Sequence, residues 1–372
     1  MPTTYDTIII GAGIAGASLG AQLVSQGRVM ILEMEKQPGY HSTGRSAAFF
    51  APAYGNKVVR DITTASEPFF RRPPDNFTDV ALLHPREALF VARQDQCESM
   101  SSLLTKTSHL RALDATRLTE KVPILDTNVL VSGAVDKTGG DLDVDAILQG
   151  FLRQFRSGGG ELCLDSKVVQ LKRTNDMWIV RTKNAEYKSA TVVNAAGAWA
   201  DSIAESAGLA GLGIKPLRRT VVLVDAPEDT DISDWPLTID IDEQFYFKPD
   251  AGQLLISPAD ESPERPCDAQ PDELDIAIAI ERFQQVTVLQ VQKINHSWAG
   301  LRSFAPDRSF VTGFDPRSTG FFWLAGQGGY GVQSSPALAD IAAYLLTGSH
   351  QLMSREAIED LVPSIAPDRL IN

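Results

Sequence analysis

The first apolar block, residues 5–10 (YDTIII), reads as a short buried strand. It runs into Gly11-Ala12-Gly13-Ile14-Ala15-Gly16, an apolar stretch closed by Gly27, and then a second aliphatic run, residues 29–32, that stops at Glu33. That is a strand, helix, strand unit within about thirty residues. Further along, Gly139-Gly140-Asp141-Leu142-Asp143 precedes an amphipathic run over residues 144–156 that three glycines end, which predicts a capped helix. Residues 163–180 alternate as strands do, and the apolar run 190–193 leads into Asn194-Ala195-Ala196-Gly197-Ala198-Trp199. Small residues after a buried strand suit a sheet crossed by a bulky ligand, and they equally suit core packing.

Residues 217–224 alternate, and in that pattern only one of the adjacent Arg218 and Arg219 faces the covered side. Residues 245–247 and 254–256 flank Pro249-Asp250-Ala251-Gly252 and predict a hairpin. Residues 260–275, rich in Pro, Asp and Glu, predict a surface loop. Near the end, the strand at 320–325 enters Gly326-Gln327-Gly328-Gly329-Tyr330-Gly331-Val332-Gln333, with an apolar helix expected from about 336 to 346. The predicted fold class is α/β: a Rossmann-type FAD-binding domain with an interleaved α+β substrate domain built on an antiparallel sheet. The expected division is 1–50, 140–210 and 300–372 for the first, with 51–139 and 211–299 for the second.

Each early glycine has a physical task. Gly11 permits the tight turn, Gly13 lets a pyrophosphate approach the positive end of the helix, and Gly16 lets helix and sheet pack closely. Glu33 is placed to accept from ribose hydroxyls, and its charge disfavours a 2′-phosphate. Gly16-Ala17-Ser18-Leu19-Gly20 formally matches a nucleophile elbow, but Ser18 falls inside the helix rather than at the turn, so the match is rejected. Residues 37–56 are rich in small and hydroxylated side chains around Arg45 and predict a loop and helix start. There Ser42 and Thr43 serve as capping groups, and Arg45 is able to meet a phosphate or a flavin edge. The second Gly-rich turn supplies another positive helix end, and two such turns suit FAD, with its pyrophosphate and its flavin pyrimidine edge.

Composition narrows the classes. A chain of 372 residues with 43% hydrophobic and 22% charged residues is globular and large enough for two structural regions. Its net charge of −13 repels phosphate backbones, so nucleic acid is not an expected partner. Cys97, Cys163 and Cys267 are too few and too scattered for a disulfide framework and fit a reducing, cytoplasmic setting. The five histidines form no metal-ligand spacing, so no metal is expected. Residues 7–24 lack a preceding positive region and are read as the nucleotide-binding helix rather than a signal peptide. No transmembrane segment is expected, which leaves room for peripheral membrane contact.

GAGIAG with Glu33, HSTGRSAA (41–48), VVNAAGAW (192–199), FYFKPDAG (245–252), WAGLRSF (298–304) and GQGGYGVQ (326–333) occur in order along the chain. Together they resemble the D-amino acid oxidase, sarcosine oxidase and glycine oxidase superfamily of FAD enzymes, most closely its bacterial D-arginine dehydrogenase branch. The resemblance implies non-covalent FAD held by Gly11, Gly13, Ile14, Ala15, Gly16, Glu33 and Met34 and by the run His41, Ser42, Thr43, Gly44, Arg45, Ser46, Ala47, Ala48 and Phe49. It adds Val168, Ala196, Gly197 and Trp199, and the turn Gly328, Gly329, Tyr330, Gly331, Val332 and Gln333. It further implies oxidative deamination of a D-amino acid. Hydride passes from the α-carbon to flavin N5, the imino acid hydrolyses to a 2-oxo acid and ammonia, and a quinone-like acceptor or O2 takes the electrons. By the same resemblance Arg219 and Arg302 clamp the substrate carboxylate, the phenols of Tyr246 and Tyr54 assist, and the Gly329 carbonyl accepts from the amine. The alternative substrates are a secondary amino acid of the glycine, sarcosine or proline kind and a 2-hydroxy acid.

Two positions depart from the D-arginine pattern. Phe49 stands where those enzymes have histidine, and an ungapped alignment places Ala88 where they have the glutamate that binds the guanidinium. Glu87 is one residue away, and in a strand that offset reverses the face. A missing counter-charge makes a cationic side chain costly to bury, so neutral or apolar side chains are expected.

Overall fold

The computed structural model describes residues 3–371. The opening unit forms β1 (Thr3–Ile10), α1 (Ile14–Leu23) and β2 (Val29–Leu32). β1 and β2 pair in parallel, with Thr7 opposite Val29 and Ile10 opposite Leu32. Strand Glu186–Asn194 runs parallel to β1 on its other side, and strand Phe321–Ala325 runs parallel beyond that. The strands carry unbroken aliphatic runs because both faces are covered. Ile9, Ile31, Val193 and Phe322 share a core with Leu19 and Leu338 on one side, while Ile8, Met30, Val192 and Phe321 meet Trp178 and Ala204 on the other. The antiparallel strands Val168–Thr174 and Met177–Thr182 extend this eight-stranded sheet.

The turn between β1 and α1 admits no side chains at its key points. Gly11 has a φ of +107°, and a Cβ there would lie 2.5 Å from the Ala195 carbonyl oxygen. A Cβ on Gly16 would lie 1.9 Å from the Gly11 oxygen. Ser18 is buried within α1 with its hydroxyl donating to the Ala15 carbonyl.

A nine-stranded sheet makes the second layer. Its longest pair is antiparallel, strand Lys215–Asp225 with strand Ile294–Phe304, and the expected hairpin appears as Tyr246–Asp250 with Gln253–Ser257. One pair departs from the antiparallel pattern: Leu237–Asp240 lies parallel to Ala88–Arg93. Period-two alternation gives the sheet two unlike faces. Leu89, Val91, Val222, Val224, Phe247 and Ile256 pack with Phe283 of helix Glu273–Val286. By register, Ala88, Arg219, Val221, Tyr246 and Lys248 stand on the other face.

Two local expectations are corrected. Residues 37–56 contain turns and no helix start after Thr43; the helix there is Lys57–Arg71, capped by Asn56, whose side chain accepts from the Val59 N–H. Expected on the substrate side, that helix instead packs on helix Gly331–Thr347 through Gln333 to Thr63 and through the Ala337 N–H to Ser66. The last long helix begins at Gly331, five residues before the expected start, and Pro336 lies inside it. The Ser335 hydroxyl donates to the Val332 carbonyl, which Pro336 cannot serve. The loop expected at 260–275 is present up to the helix that starts at Glu273, and it is anchored to the sheet. Asp260 accepts from the Thr220 N–H and hydroxyl, Ser262–Pro263 pairs with Leu217 and Arg218, and Asp272 caps the following helix.

Candidate active site and cofactor cleft

A cleft of about 760 Å³ runs between the two sheets. One end is floored by Gly11, Gly13, Ile14, Ala15, Glu33 and Met34, with His41, Ser42, Thr43, Arg45, Ser46 and Ala47 beside them and Val168, Ala196, Gly197 and Trp199 across from them. The lining continues from Ile14 through Gly331 and Val332 to Gly328 and Gly329, under a roof of Arg219, Tyr246 and Arg302. Sequence segments more than 300 residues apart therefore meet in one continuous groove.

The groove fits an elongated dinucleotide. α1 has no side-chain N-cap, although Thr43 Oγ1 accepts from the Ile14 N–H at 3.0 Å, and the neighbouring first-turn amides border the cleft. Helix Gly331–Thr347 likewise starts without a side-chain cap, with Gly331 beside Ile14 at the start of α1. Two positive helix ends then face one groove, as a ligand with electron-rich groups requires. Glu33, 7% exposed, accepts from the Ala12 and Glu35 N–H groups, which fixes its carboxylate at the end of β2 and leaves lone pairs for hydroxyl donors. His41 packs against Trp199 with the rings tilted by 49° and centroids 4.6 Å apart, and its Nε2 lies 3.0 Å from Glu35; its buried Nδ1 has no partner among the described residues.

Several expected contacts lie outside the cleft lining. Gly16 is consumed by its packing on Gly11, and Gly44 by its approach to the Gly39 carbonyl, where a Cβ would lie 2.7 Å away. The Ala48 carbonyl accepts from Leu142, and Phe49 pairs with Asp141 in a short separate strand. The Tyr330 ring is wedged among Tyr54, Phe304 and Phe310. Gln333 spends its amide on the Ala51 N–H and Thr63. Arg45 borders the cleft, but its guanidinium is committed to protein: Nη1 donates to the Ala269 and Ala299 carbonyls at 2.8 and 3.0 Å, and Nη2 pairs with Asp268. It therefore does not present a free fork to a phosphate or flavin edge. Ser42 donates to the Leu301 carbonyl.

The roof is electrostatically unusual. Arg219 and Arg302 stand on the same face of adjacent strands, Arg219 opposite Gly300 and Arg302 two residues on. Arg219 is 7% exposed; its Nε donates to the Asp260 carbonyl, and its Nη2 lies 3.4 Å from Glu261, which also pairs with Arg308. Desolvation and then the nearby Arg302 charge lower its pKa. Burial pushes the acid group of Asp260 up. Arg302 has neither an ion pair nor a side-chain hydrogen bond among the described residues, and the Tyr246 hydroxyl, buried beside it, is also unpartnered. Tyr54 approaches the same charges but donates to Glu243 at 3.1 Å, and burial pushes its phenol up.

Glu87 and Ala88 separate as their strand dictates. Glu87 faces away from the roof and pairs with Lys121 and, at 3.1 Å, with Lys137, whereas Ala88 is buried on the roof face, outside the cleft lining. On that face Lys248, 5% exposed, donates to Asp141 at 2.7 Å, and Arg86 grips the same carboxylate.

The sequence did not single out Gly300 or Ser303, both in the cleft wall. Gly300 pairs with Arg219 across the sheet and faces the Arg45 stem, where an added Cβ would lie 3.4 Å from Arg45 Cβ, and a glycine inside a strand pattern was the available signal. Nothing in the sequence distinguishes the Ser303 hydroxyl, which is buried without a partner among the described residues. Among those residues no helix is long and apolar enough to cross a membrane, and no His, Cys, Asp and Glu cluster could hold a metal.

Comparison with known proteins agrees with this geometry. Residues 6–345 match the family described as DAO, FAD dependent oxidoreductase. FAD-dependent oxidoreductase domain-containing protein 1 of Xenopus laevis is 24% identical over 93% of this chain and 79% of its own. L-proline dehydrogenase from P. horikoshii superposes with a TM-score of 0.80 at 20% identity, covering 95% of this chain and 96% of the other. Glycine oxidase from Geobacillus kaustophilus gives 0.82 at 19%, covering 95% and 97%. With the family match spanning the glycine turn, both roof arginines and the second helix end, this chain belongs to the DAO family of FAD-dependent oxidoreductases, and its cofactor is FAD.

Proposed function

We propose that this enzyme oxidises a D-amino acid to the imino acid, which water hydrolyses to a 2-oxo acid and ammonia, and that it prefers neutral or apolar side chains. The observation carrying this reading is Arg302, a cation in the cleft wall that makes no ion pair among the described residues, Glu261 acting on it only at longer range. A buried unpaired charge is costly, and a substrate carboxylate offsets that cost with a bidentate pair. Arg219 adds a second cation, and the unpartnered Tyr246 hydroxyl donates to the same carboxylate. The Gly329 carbonyl takes an amine N–H and turns the α-hydrogen toward the floor of the cleft. FAD supplies the two-electron acceptor. No side-chain base is assigned, since the amine binds neutral.

The D configuration rests on the resemblance to D-arginine dehydrogenase, but the side-chain preference departs from it. Glu87 is turned away and paired with two lysines, and the carboxylate that meets Lys248 on the roof face, Asp141, is already held by Lys248 and Arg86. A guanidinium there meets like charge rather than a free partner.

A second reading, a secondary amino acid or a 2-hydroxy acid, has one observation in its favour: the roof reads a carboxylate and little else, and the fold is shared with a proline dehydrogenase and a glycine oxidase. Anaerobic mixing of the yellow holoenzyme with D- and L-amino acids, N-methyl amino acids and 2-hydroxy acids separates the readings. Bleaching by neutral D-amino acids is expected. Preferential bleaching by D-Arg and D-Lys, or by L-proline, glycine or hydroxy acids, would overturn the proposal. Reoxidation with O2 against a quinone then identifies the acceptor class.

A further inference from the structure

Residues 264–272 border the cleft as a tethered span, with Arg265 and Pro266 forming part of its wall. Both ends are held by one side chain on the sheet. Arg218 pairs with Glu264 at 2.9 Å, with Asp275 at 2.9 Å and with Asp272 at 3.7 Å. The middle is held by a different element. Arg45, in the loop that follows β2, donates to the Ala269 carbonyl and pairs with Asp268, and Tyr40 of the same loop donates to Asp268 at 3.3 Å. Beneath these bonds, Cys267 and Ala269 rest on Ala198, Trp199 and Leu301.

Freeing the middle therefore requires breaking the Arg45 contacts, whereas the ends stay hinged at Arg218. The gripping loop is also the one whose Ser42, Thr43 and Ser46 line the cofactor groove. We propose that residues 264–272 are a strap across the bound FAD and that Arg45 and Asp268 are its latch, positioning residues that set how fast the cofactor leaves. By linkage, whatever favours the latched strap favours the filled cleft, and the reverse. This holds for any substrate the enzyme uses.

The ion pair is unevenly exposed, with the Arg45 side chain at 16% and Asp268 at 48%, so the latch is sensitive to salt. The test is the FAD dissociation rate of the holoenzyme, read as the rise in free-flavin fluorescence after dilution. Asp268→Asn is expected to release FAD about three- to five-fold faster, the range of a partly exposed ion pair. Arg45→Gln also loses both carbonyl bonds and is expected to release it about ten-fold faster or more. The double variant is expected to be no faster than Arg45→Gln, because the two residues form one device. Added salt is expected to speed release in the wild type and to have less effect in Asp268→Asn. Arg355→Gln, which breaks an exposed ion pair with Glu359 outside the cleft lining, serves as the control at the wild-type rate. A wild-type rate in Asp268→Asn, additive effects in the double variant, or acceleration accompanied by an equal fall in apoprotein Tm would overturn the latch.

Discussion

The guanidinium of Arg302 lies directly against the backbone of Gly329: a Cβ added at Gly329 would sit 2.9 Å from Arg302 Nη1. One glycine of the second turn thus determines where the unpaired cation of the roof comes to rest. Gly329→Ala is expected to displace the guanidinium and to lower kcat/KM by about 10- to 100-fold, as small misplacements of positioning groups do. Flavin content is expected to stay near wild type, so steady-state kinetics with a flavin absorbance check reads the effect.

Arg302→Met separates function from stability. Loss of the carboxylate partner is expected to lower kcat/KM by about 10²-fold or more. With no ion pair to break, the substrate-free variant is expected to be as stable as wild type or more stable, since an apolar side chain replaces a charge that lacks compensation. Thermal unfolding without substrate, run beside the kinetics, checks both halves. A large fall in Tm would mean that Arg302 has a structural partner after all.

Side-chain preference is tested at two positions. Glu87→Gln is expected to leave the ratio of D-Arg to D-Leu turnover within about two-fold of wild type, because a strand neighbour on the opposite face does not reach the substrate side. Lys248→Met removes the buried cation from the roof face and is expected to raise that ratio, while Arg86 keeps Asp141 paired. Turnover across a D-amino acid panel measures both.

Asp315 predicts an acid-sensitive step. Burial alone would raise its pKa, but hydrogen bonds from Arg317 and the Trp323 indole outweigh burial and hold its carboxyl below the ordinary value. A depressed folded pKa contributes stability above the unfolded pKa, about 3.9 for aspartate, and that contribution is lost as pH falls through the folded value. Asp315→Asn is therefore expected to cost about 2 kcal/mol at pH 7, where it weakens the charge-assisted bonds from the solvent-exposed Arg317 and the buried Trp323 indole, and less at pH 3. Urea unfolding at the two pH values compares them.

What the sequence revealed follows from how local each constraint is. The turn of β1 into α1 was legible because Gly11 and Gly16 answer to atoms a few residues away or in the adjoining strand. The separation of Arg218 from Arg219 was legible because strand alternation alone imposes it. Arg45 was not legible, since its partners Asp268, Ala269 and Ala299 lie more than 200 residues on, and no motif around an arginine announces that its charge is already spent. The run 260–275 was legible as a loop, but its anchoring was not, its partners Thr220, Arg218 and Arg308 being in other segments. Pro336 misled in another way: a proline commonly opens a helix, and only the Ser335 hydroxyl allows it inside this one.

The two-sided sheet of the second layer also limits how this enzyme can change over evolution. Tyr246 stands over the cleft while Phe245 and Phe247 are sealed in the core on either side of it. One residue inserted into that strand would exchange the phenol for a benzene ring and drive a hydroxyl into an apolar interior. The roof can therefore accept substitutions that retune what it binds, but length changes are confined to the connecting turns. New specificities in this chain should arise by point substitution within phase-locked strands, with insertions accumulating only where the strands reverse.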